Sequence, residues 1–130
     1  MKKFNLIPPR DEVEIHLPDG RVLSGPRGAK VGEFLSAMEH EAQLVASIVN
    51  GDLRELTYPI ALEARVEPVT ISSPDGARIY RRSLTFLLEM AFEDLFPDGV
   101  LFVDHSVASG GYYCQVTGRS PLTDAEIESL

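Results

Sequence analysis

A strand, a tight turn and a returning strand near the start of the chain limit its fold most. Val13, Ile15 and Leu17 alternate with polar residues, which is the period of a strand with one buried face. The letters PDG at 18–20 predict a tight turn, because glycine accepts a positive φ there. Residues 22–24 can then return as the partner strand. A hairpin of this kind needs another element to cover its apolar face.

The element that covers this face is predicted to be a helix, because four apolar residues recur at i, i+3, i+4 and i+7. A buried strand over 44–49, a hairpin turn at Asn50-Gly51, a short return over 52–56 and a last strand over 65–71 follow. This order predicts an α+β unit over residues 12–73, after an N-terminal lead over 1–11. The helical stripe consists of Val31, Phe34, Leu35 and Met38.

Five turn-forming residues, SSPDG at 72–76, predict a domain boundary, with a linker turn over 74–78. Beyond it the pattern predicts a helix over 81–96 and short strands over 100–103 and 112–116. A capped helix then starts at Thr123. Since few residues remain after that cap, we expect the second module, 79–130, to be truncated at its C-terminus. The stripe predicted to be buried on its first helix is Leu84, Leu87, Leu88, Ala91 and Leu95.

Composition and charge limit the partners. The formal net charge is −8, and acidic residues outnumber basic ones in both halves of the chain. Nucleic-acid affinity depends on a basic face, so this balance disfavours RNA or DNA as a partner of the isolated chain. A single cysteine, Cys114, and the lack of a long apolar segment predict a soluble cytoplasmic protein without a membrane partner. His16, His40 and His105 lie far apart in the sequence, so no metal site is predicted.

Four features of the first segment occur in a characteristic order: the PDG turn, the helix entry over 28–35, the letters VNG at 49–51, and the strand that ends at Ile71. In these features residues 12–73 resemble the TGS domain of threonyl-tRNA synthetases, certain GTPases and stringent-response enzymes. The resemblance implies a β-grasp (ubiquitin-like) fold.

The second segment has its own set of matching features: RRS at 81–83, LFP at 95–97, GGYY at 110–113 and LTD at 122–124. They resemble the start of the editing-type domain that follows TGS in threonyl-tRNA synthetases. Editing enzymes of that family carry two histidines four residues apart on this helix, where the present chain has Arg82 and Phe86. Neither side chain can act as a base or bind a metal. The resemblance therefore implies a degenerate editing-like module with no catalytic residues.

The same arrangement, with His105-Ser106 ahead of GYYC, also resembles the N-terminal region of a uridine-kinase-like (phosphoribulokinase-related) family. The chain has no P-loop motif, so a kinase domain with ATP and Mg²⁺ is implied only downstream. We therefore interpret the chain as a non-catalytic regulatory or ligand-binding region, without a cofactor of its own, whose partner is a downstream domain. The alternative is an RNA (tRNA)-recognition module as in threonyl-tRNA synthetase.

The editing-domain resemblance brings the start of this helix and the glycine-tyrosine strand to one pocket. Arg82 would supply a permanent positive charge suited to phosphate or carboxylate. Phe86 would form an apolar wall, and His105, Ser106 and Tyr113 would complete a site for a small anionic or nucleoside-like ligand. Two other interpretations stay open: Phe86 fills a disused pocket, and the histidine and arginine are ordinary surface residues.

Overall fold

A computed structural model describes residues 3–130, and their contacts divide the chain into one unit up to Ile79 and another from Tyr80. The first unit holds five strands: β1 (Glu12–His16), β2 (Val22–Pro26), β3 (Leu44–Val49), β4 (Asp52–Arg54) and β5 (Ala64–Thr70). They form one sheet in the order β2-β1-β5-β3-β4. β1 and β5 are parallel neighbours, whereas the other pairs are antiparallel. The predicted α+β class is confirmed, and the sheet is β-grasp-like.

The helix α1 (Val31–Leu35) provides the apolar side chains that cover this sheet. Val31 and Leu35 are fully buried, and Phe34 nearly so. They share a core with the inward face of β1, as the alternating pattern predicts. The helix ends earlier than predicted, because the chain tightens after Leu35 into i to i+3 hydrogen bonds. Met38 consequently packs against the core from beyond the helix.

The hairpin between β3 and β4 is built on backbone conformations that few residue types accept. Asn50 and Gly51 both have positive φ, 51° and 90°, which is the type I′ turn predicted from an Asn-Gly pair. The Asn50 side-chain oxygen also accepts a hydrogen bond of 2.9 Å from the backbone N–H of Arg65. The turn is thereby linked to the start of β5.

The linker turn predicted over 74–78 is wrong, because these residues form the first turn of α2 (Pro74–Leu95). The Ser73 hydroxyl accepts a hydrogen bond of 3.0 Å from the backbone N–H of Gly76, as an N-cap side chain does. Pro74 takes the first helical position, where no N–H donor is needed. The helix therefore begins seven residues earlier than the predicted start at 81. The domain limits of 12–73 and 79–130 stay predictions.

The second unit contains the rest of α2, the hairpin of β6 (Val100–Ser106) and β7 (Tyr112–Thr117), and α3 (Asp124–Ser129). Among the described residues from Tyr80 onward, Phe92 alone is fully buried, with 1% of its surface exposed. Its ring lies 5.2 Å from that of Phe96. The predicted cap of α3 is confirmed, since Thr123 and Glu126 exchange side-chain to backbone hydrogen bonds.

The buried stripe predicted on α2 is wrong for three of its five members. Leu84, Leu87 and Leu95 are between 46% and 60% exposed, whereas Leu88 and Ala91 are half-buried. A two-stranded hairpin and one short helix are the other regular elements of this unit, and they are too small to cover the whole stripe. No helix among residues 3–130 is long and apolar enough to cross a membrane.

Candidate functional site

The five predicted ligand residues all lie in the second unit, on α2 and on the hairpin. Arg82 and Phe86 are four residues apart on α2, so their side chains share one face of the helix. Both are exposed, and 64% of the Phe86 surface is open to solvent. Phe86 therefore fills no pocket among the described residues, and its interpretation as a plug stays a prediction.

The hairpin brings His105 and Tyr113 together. They are cross-strand partners, with ring centroids 5.2 Å apart and ring planes inclined by 23°, so the rings stack. A β-bulge between Val103 and His105 shifts the register, and Phe102 shares the face of this pair. The three rings are exposed, whereas Ser106 pairs with Tyr112 one position further along. The hairpin therefore presents an aromatic face to solvent.

Within residues 3–130, no hydrogen bond, ion pair or ring contact joins Arg82 or Phe86 to the hairpin residues. The carboxylate of Asp104 lies beside its neighbour His105, with 3.5 Å between Oδ2 and Nδ1. The shared pocket stays a prediction.

Arg81 and Arg82 differ from most arginines of this chain in their charge environment. Neither guanidinium has a carboxylate within 4.0 Å among the described residues. Arg78, three residues before Arg81, already pairs with Asp75 at 3.5 Å. A full positive charge is therefore available at two consecutive exposed positions of α2. The other ion-paired arginines are Arg10 with Glu63, Arg21 with Asp19, Arg54 with Asp52 and Arg119 with Glu126.

Two carboxyl groups have pKa values below their usual range. The Arg21 side chain and backbone N–H donate to Asp19 at 2.7 and 2.9 Å, which lowers the pKa of Asp19. The backbone N–H of Thr123, followed by the Arg119 guanidinium, lowers the pKa of Glu126. Asp19 stabilises a turn and Glu126 stabilises the start of α3. Neither group lies at the predicted ligand site.

The pKa of Glu126 gives a testable prediction. We expect the pKa of its carboxyl to lie below the usual range of a glutamate in an NMR pH titration, and the midpoint to rise in Arg119→Ala. Because the pKa is lowered on folding, the stabilisation is present above the unfolded pKa and is lost as pH falls through the folded one. Arg119→Lys, which keeps the charge, should raise the midpoint less. An unchanged midpoint in Arg119→Ala would contradict the assignment.

One cluster of metal-ligand types was not predicted from the sequence. Glu14, His16 and Glu63 place ligand atoms within 4.8 Å of one another, because parallel pairing sets β1 beside the start of β5. The sequence signal that could have indicated this cluster is the spacing of Glu14 and His16, because alternate residues of a strand lie on the same face. The group is largely exposed, and the Arg10 guanidinium lies 3.7 Å from Glu63. We assign no metal to it.

Comparison with known proteins finds threonine–tRNA ligases. The chain is 30% identical over 120 residues to the enzyme of Desulforamulus reducens, which covers 91% of this chain and 19% of the ligase. It is 40% identical over 103 residues to the enzyme of a Nocardioides species, covering 79% of this chain and 15% of the ligase. For Thermus thermophilus the identity is 27% over 124 residues. No family model matches.

The chain spans less than a fifth of the length of these ligases, but the matches extend over most of its own length. The resemblance to threonyl-tRNA synthetases is thereby supported, whereas the resemblance to uridine-kinase-like proteins is not.

Proposed function

We propose that this chain is an RNA-recognition region of the threonyl-tRNA synthetase type, which contacts tRNA without catalysing a reaction on it. The similarity to threonine–tRNA ligases over 91% of the chain carries this proposal. It favours the tRNA interpretation over that of a regulatory region of a kinase. Because ATP and Mg²⁺ were implied only by a downstream kinase domain, nothing now supports them as cofactors. A cytoplasmic location and a downstream domain of the same protein fit the longer relatives.

The free arginines of α2 have the chemistry of a phosphate contact. A guanidinium stays protonated and offers a planar fork of donors that matches phosphate oxygens. Arg81 and Arg82 have no carboxylate partner within 4.0 Å in the described chain, so binding RNA would break no ion pair of theirs. Phe86, one turn beyond Arg82, can stack on an unpaired base.

The hairpin supplies a second surface of the same chemical type. Phe102, His105 and Tyr113 share an exposed face, and bases of single-stranded RNA stack on such rings. The residues predicted to bind a small nucleoside-like ligand are thus also suited to bind a nucleotide within RNA. Ser106 follows His105 in β6, so its side chain lies on the opposite face of the hairpin and is not part of this aromatic surface.

Arg82 and Phe86 also explain why the proposed role is recognition alone. A general base must accept a proton near neutral pH, and a guanidinium is already protonated while a phenyl ring has no acceptor nitrogen or oxygen. The net charge of −8 limits the electrostatic attraction to RNA. We therefore expect tight binding only when a further domain of the protein contributes.

The test measures binding of a threonine tRNA transcript by fluorescence anisotropy over a range of salt concentrations. We expect weak binding at low salt that falls steeply as salt is added. The double variant Arg81→Ala/Arg82→Ala should weaken binding by on the order of tenfold. It should also reduce the slope of log affinity against log salt by about 1.4–1.8, one increment for each lost phosphate contact.

The matched control is Arg21→Ala, which removes an arginine whose charge is already paired with Asp19 at 2.7 Å. Its affinity and salt slope should equal those of the wild type. If the control and the double variant lose affinity equally, binding is non-specific and the α2 contact is wrong. If the transcript does not bind even at low salt, the RNA-recognition proposal itself is wrong.

A further inference from the structure

The edge strand β2 has backbone groups available for another strand. β2 pairs only with β1 in the sheet of the first unit. Leu17 donates its N–H to Arg21, and Arg27 donates to Asp11. In an antiparallel ladder these bonds alternate by two residues, so the intervening Leu23 and Gly25 bond to β1. Val22 and Ser24 therefore direct their N–H and C=O groups away from the sheet.

An apolar groove runs beside this edge, between β2 and α1. Its volume is about 160 Å³, and its walls include Leu23, Gly25, Ala29, Phe34 and Ala37. The groove stays open because three of these residues have a small side chain or none. The Phe34 ring occupies the space where a Gly25 side chain would begin, since a Cβ there would lie 2.7 Å from Cε1.

We propose that the β2 edge and this groove together bind an extended peptide that adds a sixth strand to the sheet. Its backbone would pair with Val22 and Ser24, and its alternate apolar side chains would enter the groove, as in other cases of strand addition. Pro26 lacks an N–H and its carbonyl accepts from Ala29, so the open edge ends there. The interface between β2 and the peptide is therefore short. Peptide binding at this edge is independent of the proposed RNA recognition.

Charge selects the peptide. The edge carries Glu33 at the groove and Glu12, whose carboxylate accepts a hydrogen bond of 3.2 Å from the Ser24 hydroxyl. At its two ends, Arg21 is ion-paired with Asp19, and the Arg27 guanidinium donates to backbone carbonyl oxygens. A peptide with lysine or arginine beside its apolar residues complements this surface and the chain's net charge of −8. A second copy would bring the same carboxylates to its partner's edge, so self-pairing is disfavoured. The other edge strand, β4, has only three residues.

The probe is the blocked peptide Lys-Val-Thr-Val-Thr-Val-Lys, titrated against the ¹⁵N-labelled chain and followed by NMR. We expect the amide signals of Val22 and Ser24 to shift most, with a dissociation constant on the order of 1 mM. A scrambled peptide of the same composition should bind at least about tenfold more weakly, because its valines no longer share one face. Equal chemical-shift changes with both peptides would overturn the proposal. So would the absence of any change at peptide concentrations several times the expected dissociation constant.

The matched variants are Ser24→Pro and Ser24→Ala. Proline removes the outward N–H without removing a bond to β1, and we expect binding to weaken about tenfold or more. Alanine removes only the hydroxyl and keeps the outward N–H, so Ser24→Ala should bind the peptide about tenfold or more tightly than Ser24→Pro. If both variants bind as the wild type does, the edge is not the site.

Peptides N-methylated at the valines or at the threonines test the same edge without altering the protein. In an added strand, either the valines or the threonines direct their N–H groups toward β2, and the other residue type directs them away. One methylated peptide should lose binding while the other keeps it, and the sensitive set reveals the strand direction. If both methylated peptides bind, strand addition is wrong. Sedimentation of the free chain as a dimer that Ser24→Pro converts to a monomer would assign the edge to a second copy instead.

Discussion

Replacing Gly76 by alanine is expected to lower the free energy of unfolding by about 2 kcal/mol, although alanine favours helices more than glycine does. Gly76 is buried in the first turn of α2. A Cβ at this position would collide with the Thr70 carbonyl oxygen and lie 2.6 Å from its carbon. The gain in helix propensity is about 1 kcal/mol, whereas forcing backbone apart in a packed region costs up to about 3 kcal/mol or more. The collision should therefore decide the sign.

Urea denaturation followed by circular dichroism measures this effect, with Gly111→Ala as the control. A Cβ on Gly111 would meet only a Val107 methyl at 3.7 Å, so we expect a change within about 0.5 kcal/mol. If Gly76→Ala instead stabilises the chain, the first turn of α2 does not lie against the end of β5.

The same segment shows why a linker turn was predicted where a helix begins. Serine, proline, aspartate and glycine favour turns, but serine before proline is also typical of a helix start. Composition alone does not distinguish the two. The close approach of Gly76 to Thr70, which leaves no room for a side chain, arises only when α2 and β5 are in place.

The first unit was predictable because its signals are local. Alternation in β1 and the Asn50-Gly51 turn each specify a conformation within a few residues. The order of these elements, together with the resemblance to TGS domains, indicated the β-grasp class. The length of α1 was overestimated, because an apolar residue beyond the helix, Met38, still contacts the core. The return strand predicted over 52–56 was also too long, since β4 ends at Arg54.

The candidate site was less predictable because it depends on partners distant in sequence. The stacking of His105 on Tyr113 requires the register shift of a bulge, for which the sequence gives no clear signal. On α2, periodicity identified an apolar stripe but not how much of it other elements cover. Leu87 follows the helical period and is nevertheless 60% exposed, whereas Phe92, outside the predicted stripe, is buried.

The second large effect is expected at Phe92, because burial in the second unit is concentrated on this side chain. Phe92→Ala should cost about 3–5 kcal/mol, the range for truncating a buried phenylalanine. Its ring packs 5.2 Å from Phe96 and lies 3.2 Å from the space where a Gly99 side chain would begin. Loss of the ring would leave a cavity beside the start of the β6–β7 hairpin. The unit has no second fully buried side chain among its described residues to offset that loss.

Phe86→Ala is the matched control, since it truncates the same residue type on the same helix at a position that is 64% exposed. We expect it to change the stability by no more than about 0.5 kcal/mol. Backbone NMR spectra distinguish the two units. Phe92→Ala should broaden or displace the amide signals of β6 and β7 while those of β1 to β5 keep their positions, because Ile15, Leu35 and Val66 form a separate core. Simultaneous loss of both sets of signals would mean that the two units unfold as one.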